Sequence, residues 1–423
     1  MLVVFPFLLA ALTTPMPDVG DVAAVLERSA QSVNGAPRLA GELAALGPAM
    51  VPDLFKVLAF GSGLDRALLG YEENALADAL ASFGIAPLRT LLKRRLSADA
   101  PPEERLAALQ VLKRVGSSQD VTFARLAVPG TSTGLAPELQ ETCGAILRRD
   151  ARALEELRRW MLEAPIEIGA ALSAAIGESE CPGALQALIN TLGFRGDLDA
   201  ELLAAIAPLV RRAAKPLDEE LLRPIQDALE EDDPRVLRGA ALALGHAQHA
   251  GALSALIDLA EHESRSVSSA ATWALTEITG LRLHDVERWR GWLRAERAWF
   301  EEQGPRLHAE LRSNRAELAI RALGELSSHR LGRHELALEA LVALEHQDPA
   351  VRRLACLTLA RLGSTAAEPG LLQALADTDE SVARSARQAL EALGLAVPSQ
   401  KAALLDETSR NRPLQPTNRY RRA

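Results

Sequence analysis

The sequence predicts an all-α chain of about nine or ten short helix pairs stacked in series. Three observations carry this: a composition suited to helices, one apolar stripe that recurs along the chain, and the turn residues that separate its copies. Of 423 residues, 48% are hydrophobic and 24% charged, the balance of a folded soluble chain. Ala and Leu supply most of the apolar content, aromatics reach only 4%, and β-branched runs are scarce. That composition favours helices over strands. The length is too great for one ordinary core. A net charge of −9 and a pI near 5.6 oppose a general nucleic-acid binder, which needs a basic face to displace counterions.

The stripe is plainest at Val351, Ala355, Leu359 and Leu362, spaced i, i+4, i+8 and i+11 on one helix face. It returns as Val382, Ala386, Leu390, Leu393 and as Val267, Ala271, Leu275, Ile278, with shorter or weaker copies upstream. The i+8 members fall at residues 80, 112, 147, 176, 210, 244, 275, 323, 359 and 390. Their spacings run from 29 to 36 residues, with a single step of 48 between Leu275 and Leu323. Each period holds two helices and two turns. A preceding apolar segment, such as Leu221 to Leu229 or Leu336 to Leu344, supplies the first helix.

Turn chemistry marks the boundaries. Asp233-Pro234 and Asp348-Pro349 put a carboxylate at the N-cap and a proline at the first helical position, and Asp379 is a cap without proline. Gly116, Gly363 and Gly394 follow their helices, where a left-handed cap is expected to need glycine. A pair this short cannot bury its own apolar face, so neighbours must stack.

The run Asp233 to Gly245, Asp-Pro-x-Val-x-Arg-x-Ala-Ala-x-Ala-Leu-Gly, resembles a HEAT repeat, and Val351-Arg352 with Ala355 is similar again. The short spacing resembles the HEAT-like repeats of phycobilisome-lyase type. The resemblance is strong from about 230 to 395, moderate from 100 to 230, and weak before that. It implies a right-handed superhelix whose second helices form the inner surface, with HEAT-like repeats over 71–280 and 305–396 and a divergent helical cap over 15–70.

The 48-residue step contains 281–304, read as an extra Trp-rich helix capped by Asp285 and stopped at Gly304-Pro305. Trp289, Trp292, Leu293, Trp299 and Phe300 fall within about 120° of one another on a wheel of 100° per residue. Arg290, Arg294, Arg297 and Glu301 lie on the charged face, and Arg288 at the border of the aromatic arc. The aromatic face is expected to pack on the stack; the other reading has its indoles lining a binding groove.

Residues 1–14 read as a candidate secretory leader. An uncharged run Met1 to Leu12 is followed by Thr13-Thr14-Pro15-Met16-Pro17, although no Lys or Arg precedes it. Cleavage would place the chain in the periplasm or cell envelope, and retention in the cytoplasm. The run is too short for a transmembrane anchor. Residues 397–423 carry six Lys or Arg against Asp406 and Glu407 and lack the stripe, a composition that reads as a disordered basic tail.

No catalytic constellation emerges, and no cofactor or metal is expected. Cys143, Cys181 and Cys356 are far apart, with Cys143 and Cys356 in stripe positions. Deoxyhypusine hydroxylase, a HEAT-like enzyme, uses several His-Glu pairs in register. Here His262-Glu263 and His334-Glu335 stand out of register, while His246 and His249 lie at i, i+3 without a third ligand. HEAT-like DNA glycosylases hold DNA on basic inner helices, which directs attention to Arg211, Arg212, Arg235, Arg238, Arg352, Arg353 and Arg384; these read first as structural ladders. The expected function is a non-enzymatic scaffold for an unidentified protein partner. A lyase-like or enzyme-associated module is the alternative, and a nucleic-acid binder the third. Candidate partner contacts are Arg235, Arg238, Arg352, Arg353, Arg384, Trp289, Trp292 and Trp299.

Overall fold

The computed structural model describes residues 24–25, 36–60, 69–128, 133–213 and 217–397. The candidate leader over 1–14 and all of the basic tail except Val397 lie outside the described residues, as does part of the 15–70 cap. Every regular element among the described residues is helical. They divide into two compact units, residues 1–212 with 218–243, and residues 213–217 with 244–423.

In unit 1 the helices are α1 (Ala36–Ala44), α2 (Val51–Phe60), α3 (Leu69–Ser82), α4 (Ile85–Arg95), α5 (Pro102–Val115), α6 (Val121–Leu126), α7 (Ala136–Arg149), α8 (Ala153–Glu163), α9 (Ile166–Glu178), α10 (Ala184–Ile189), α11 (Asp199–Arg212) and α12 (Glu219–Asp227). Helix α13 (Pro234–His246) ends it, with its last residues counted in unit 2. The striped helices α3, α5, α7, α9 and α11 pack each on the next as one layer, and α4, α6, α8, α10 and α12 form the other. Where neighbouring second helices draw close, glycine makes room: a Cβ on Gly177 would lie 3.0 Å from the Cβ of Ala205, and one on Gly239 2.7 Å from that of Leu203.

Unit 2 holds α14 (Leu253–Leu259), α15 (Arg265–Thr279), α16 (Val286–Leu311), α17 (Ala316–Leu326), α18 (Arg333–Leu341), α19 (Pro349–Leu362), α20 (Glu368–Ala374) and α21 (Glu380–Ala392). Helix α17 packs on α19 and α19 on α21 in the second-helix layer. The long Trp-bearing helix α16 packs against α14, α17 and α18. It therefore stands in the first-helix layer as the partner of α17 and is not an additional element. The 48-residue step arises because this first helix is 26 residues long.

All ten i+8 residues, Leu80 through Leu390, are buried, and each lies in the second helix of its pair. At about 1.5–3 kcal/mol per buried Leu, Ile or Val side chain, that column is a major source of stability. Asp348 accepts the Ala350 N–H at 2.8 Å ahead of Pro349, Asp379 accepts that of Ser381 at 2.9 Å, and Asp285 that of Glu287 at 2.8 Å. Asp233 accepts the Arg235 N–H at 2.8 Å.

Two local expectations need correction. The helix expected to stop at Gly304-Pro305 runs on to Leu311. Proline forfeits one backbone bond and strains the preceding turn, about 3 kcal/mol; burial of Leu307 and Leu311 in the unit 2 core offsets that loss. Gly363 and Gly394 adopt the left-handed conformation at φ 71° and 70°, but Gly116 does not, with φ −63° and ψ 150°. Its requirement is space: a Cβ there would lie 2.7 Å from the Leu112 carbonyl oxygen and 3.1 Å from Ile146.

Candidate functional site

Four arginines illustrate how the second helices use charge. Arg114, Arg149 and Arg212 each lie two residues beyond the i+8 position. Each reaches back to the preceding second helix: Arg114 to Asp78 and, at 2.7 Å, Asn74; Arg149 to the Gly116 carbonyl at 2.9 Å; Arg212 to the Gly177 carbonyl at 3.1 Å. The last two satisfy carbonyls that a helix C-terminus leaves without partners. Arg352 is the fourth. It forms a two-pronged pair with Asp377 at 2.7 and 2.8 Å and donates to the His346 and Gln347 carbonyls at 2.9 Å. Its donors are spent on the turns ahead of α19 and α21, so Arg352 is removed from the candidate contacts.

The remaining candidate arginines are exposed. Arg235 pairs with Asp233 at 2.9 Å and Glu201 at 3.7 Å, and Arg384 with Glu380 at 2.8 Å. Arg238 in unit 1 and Arg353 in unit 2 have no ion-pair partner among the described residues.

The three tryptophans separate. Trp289 is 2% exposed, donates its Nε1–H to the Leu283 carbonyl at 3.1 Å, and meets Trp292 edge-on. A partner could not reach it, so it too leaves the candidate set. Trp292 is half-buried. Trp299 stacks on His329 with centroids 3.4 Å apart and packs on the unit 2 core. Beneath that stack the buried Glu296 accepts from the backbone N–H groups of Arg330 and Leu331 and lies 3.2 Å from His329 Nδ1. The helix thus clamps the loop before α18. On its other face Arg290 reaches Asp258, Glu261 and Glu287.

Histidine serves the turns. His262 Nδ1 accepts the Ser264 N–H and His346 Nδ1 the Asp348 N–H, each at 3.0 Å, while Asp377 does the same for Asp379. These groups stand two residues before the N-cap and hold the entry to the second helix. His334 Nδ1 lies 2.9 Å from Ser364 Oγ. Among the described residues no cluster of three or more His, Cys, Asp or Glu is placed to hold a metal.

The cysteines are all buried. Burial pushes the thiols of Cys143 and Cys356 up to about 12 and also raises that of Cys181. At pH 8 a thiol of pKa 12 is ionised to about one part in ten thousand, and the thiolate is the reactive form. Native protein is therefore expected to resist a thiol reagent such as Ellman's at pH 8, with three thiols released in denaturant. Rapid native labelling of Cys143 or Cys356 would contradict their burial.

The exposed surface of the second helices carries apolar residues off the buried stripe. In unit 2, Leu357 on α19 is 44% exposed, and Trp273 on α15 is half-buried with its ring edge-on to His246 at 4.8 Å. Leu357 is flanked one turn away on each side by exposed Arg353 and Arg361. In unit 1, Leu106 on α5 is exposed, and Ala170, Ala174, Ala204 and Pro208 floor a shallow groove of about 180 Å³ between α9 and α11. A more open cleft of about 770 Å³ lies in unit 2 beside the Arg352–Asp377 pair, with Leu341, Leu344 and His346 in its wall. Leu357, Trp273 and Leu106 were not among the sequence-based candidates. Their signal was present: each falls on the helix face opposite the stripe. No described helix is long and apolar enough to cross a membrane.

Comparison with known proteins bears on the repeat. No curated protein matches the chain in sequence. Similar solved structures include an engineered protein, 16% identical, covering 89% of this chain and 100% of its own at a TM-score of 0.34. Human deoxyhypusine hydroxylase in complex with glycerol is 19% identical over 73% of this chain and 99% of its own, at 0.25. Kap121p bound to Pho4p is 14% identical, covering 92% of this chain and 51% of its own, at 0.28. Scores this low carry no argument about activity or partners. The family model for HEAT repeats matches residues 222–285 and 305–408. The chain thus contains HEAT repeats over those two stretches.

Proposed function

We propose that the chain is a non-enzymatic scaffold that binds a protein partner through the exposed face of its second helices, and that its repeats are of the short HEAT-like kind. The repeat spacing of 29–36 residues supports the second point. The observation that carries the first is Leu357, 44% exposed on α19 between two exposed arginines. A lone exposed Leu is ordinary; one framed by arginines without carboxylate partners is suited to an interface, where Arg and apolar anchors concentrate binding energy. Stacked repeats extend such a surface from one helix to the next.

The test compares the two helix layers. A partner retained stoichiometrically by the full chain is expected to be released by Leu357→Asp and kept by Leu338→Asp. Leu338 is 48% exposed on the first helix α18. Equal release by both substitutions, or by neither, would overturn the assignment to the second-helix face.

A further inference from the structure

The chain is acidic as a whole, with a net charge of −9, yet α19 contains three arginines and no carboxylate. Arg352 is held by Asp377. Arg353 and Arg361 stay exposed, and neither has an ion-pair partner among the described residues. On the adjacent α21, Arg384 occupies the place of Arg353 one repeat later, and Arg387 follows it by three residues. The carboxylates of α21 are Glu380, bonded to Arg384 at 2.8 Å, and Glu391 near the helix end. The two arginines and two carboxylates of α21 balance, so the unbalanced positive charge is Arg353 and Arg361 on α19, a short basic strip with Leu357 at its centre.

We propose that this strip receives an acidic amphipathic helix of a protein partner, an inference that rests on the scaffold reading and names the partner's chemistry. Arg353, Leu357 and Arg361 lie at i, i+4 and i+8, within about 80° on the helix surface and about 12 Å end to end. A partner helix with the pattern Glu-x-x-x-Leu-x-x-x-Glu repeats that spacing. Its Leu covers Leu357, and its carboxylates meet the two guanidinium forks, whose planar donor pairs match a carboxylate. The apolar centre and the marginal Glu380 and Glu391 disfavour a phosphate backbone, which rewards unbroken positive charge.

Three labelled 18-residue helical peptides test this, identical except for Glu, Gln or Lys at the two flanking positions. Each is titrated against the full-length chain by fluorescence anisotropy, with a 20-base-pair DNA duplex as competitor. The Glu peptide is expected to bind at least tenfold more tightly than the Gln peptide and to weaken as salt rises. R353E/R361E is expected to reverse the preference toward the Lys peptide with an unchanged thermal midpoint, since both side chains are exposed and unpaired. Equal binding of all three peptides, indifference to R353E/R361E, or displacement of the Glu peptide by DNA at lower concentration than by unlabelled peptide would each overturn the acidic partner. If the peptides fail while Leu357→Asp still releases the native partner, the scaffold reading survives and only the acidic helix is lost. If Leu357→Asp releases nothing, the assignment of the scaffold's binding surface to the second-helix face fails first.

Discussion

Trp289→Ala is expected to lower the thermal midpoint of unit 2 by about 6–20 °C. The indole is 2% exposed, its Nε1–H is bonded to the Leu283 carbonyl, and its ring meets Trp292 edge-on. Truncating a buried Trp removes its transfer free energy and leaves a cavity, together about 3–5 kcal/mol. For a unit of this size each kcal/mol moves the midpoint by roughly 2–4 °C. Trp292→Ala, at a half-buried position, is expected to cost about 1–2 kcal/mol, since less area returns to water. Calorimetry of the two variants reads the difference. Near-equal midpoints for both would refute the burial that removes Trp289 from the partner-binding residues.

Arg352→Ala is the second large effect, expected to cost about 2–3 kcal/mol at neutral pH. It removes two charge-assisted bonds to Asp377 and two to the carbonyls of His346 and Gln347. It also leaves Asp377, whose side chain is only 10% exposed, without its cation. Hydrogen bonds from Arg352 hold the Asp377 carboxyl below its ordinary value. A carboxyl depressed in the folded state contributes stability that is fully present above the unfolded pKa of about 3.9 and is lost as pH falls through the folded value. Urea titrations should therefore show a wide gap between wild type and Arg352→Ala at pH 7 and pH 5, narrowing below pH 4. A gap of constant width from pH 7 to pH 3 would mean that the pair does not titrate with folding.

Much of the architecture was legible in order along the chain. The i+8 ruler marked ten second helices among the described residues, because a stripe at helical spacing must face a core, and every ruler residue from Leu80 to Leu390 is buried. Asp233, Asp285, Asp348 and Asp379 were legible as caps because an N-cap bond spans only two or three residues. Less legible was anything set by a neighbour 25 or more residues away. Arg352 and Arg353 are adjacent and chemically identical in sequence, yet one is locked to Asp377 and the other is free. Consecutive helical residues differ by about 100° in direction, and only the location of the next turn decides which of them meets a carboxylate. Gly116 looked like a left-handed cap, but the nearby Ile146, thirty residues on, makes its need one of space.

The sequence by itself determined that the chain is helical, that its helices come in pairs, and which face of each second helix is buried. Periodicity and caps are local, and a face too greasy for water must be covered whatever covers it. Tertiary structure alone decided that the Trp-bearing helix belongs to the first-helix layer, that Trp289 is buried while Leu357 is bare, and which arginines remain unspent. Those outcomes depend on which distant turns and helices stack together, and on where a carboxylate or carbonyl then comes within bonding distance.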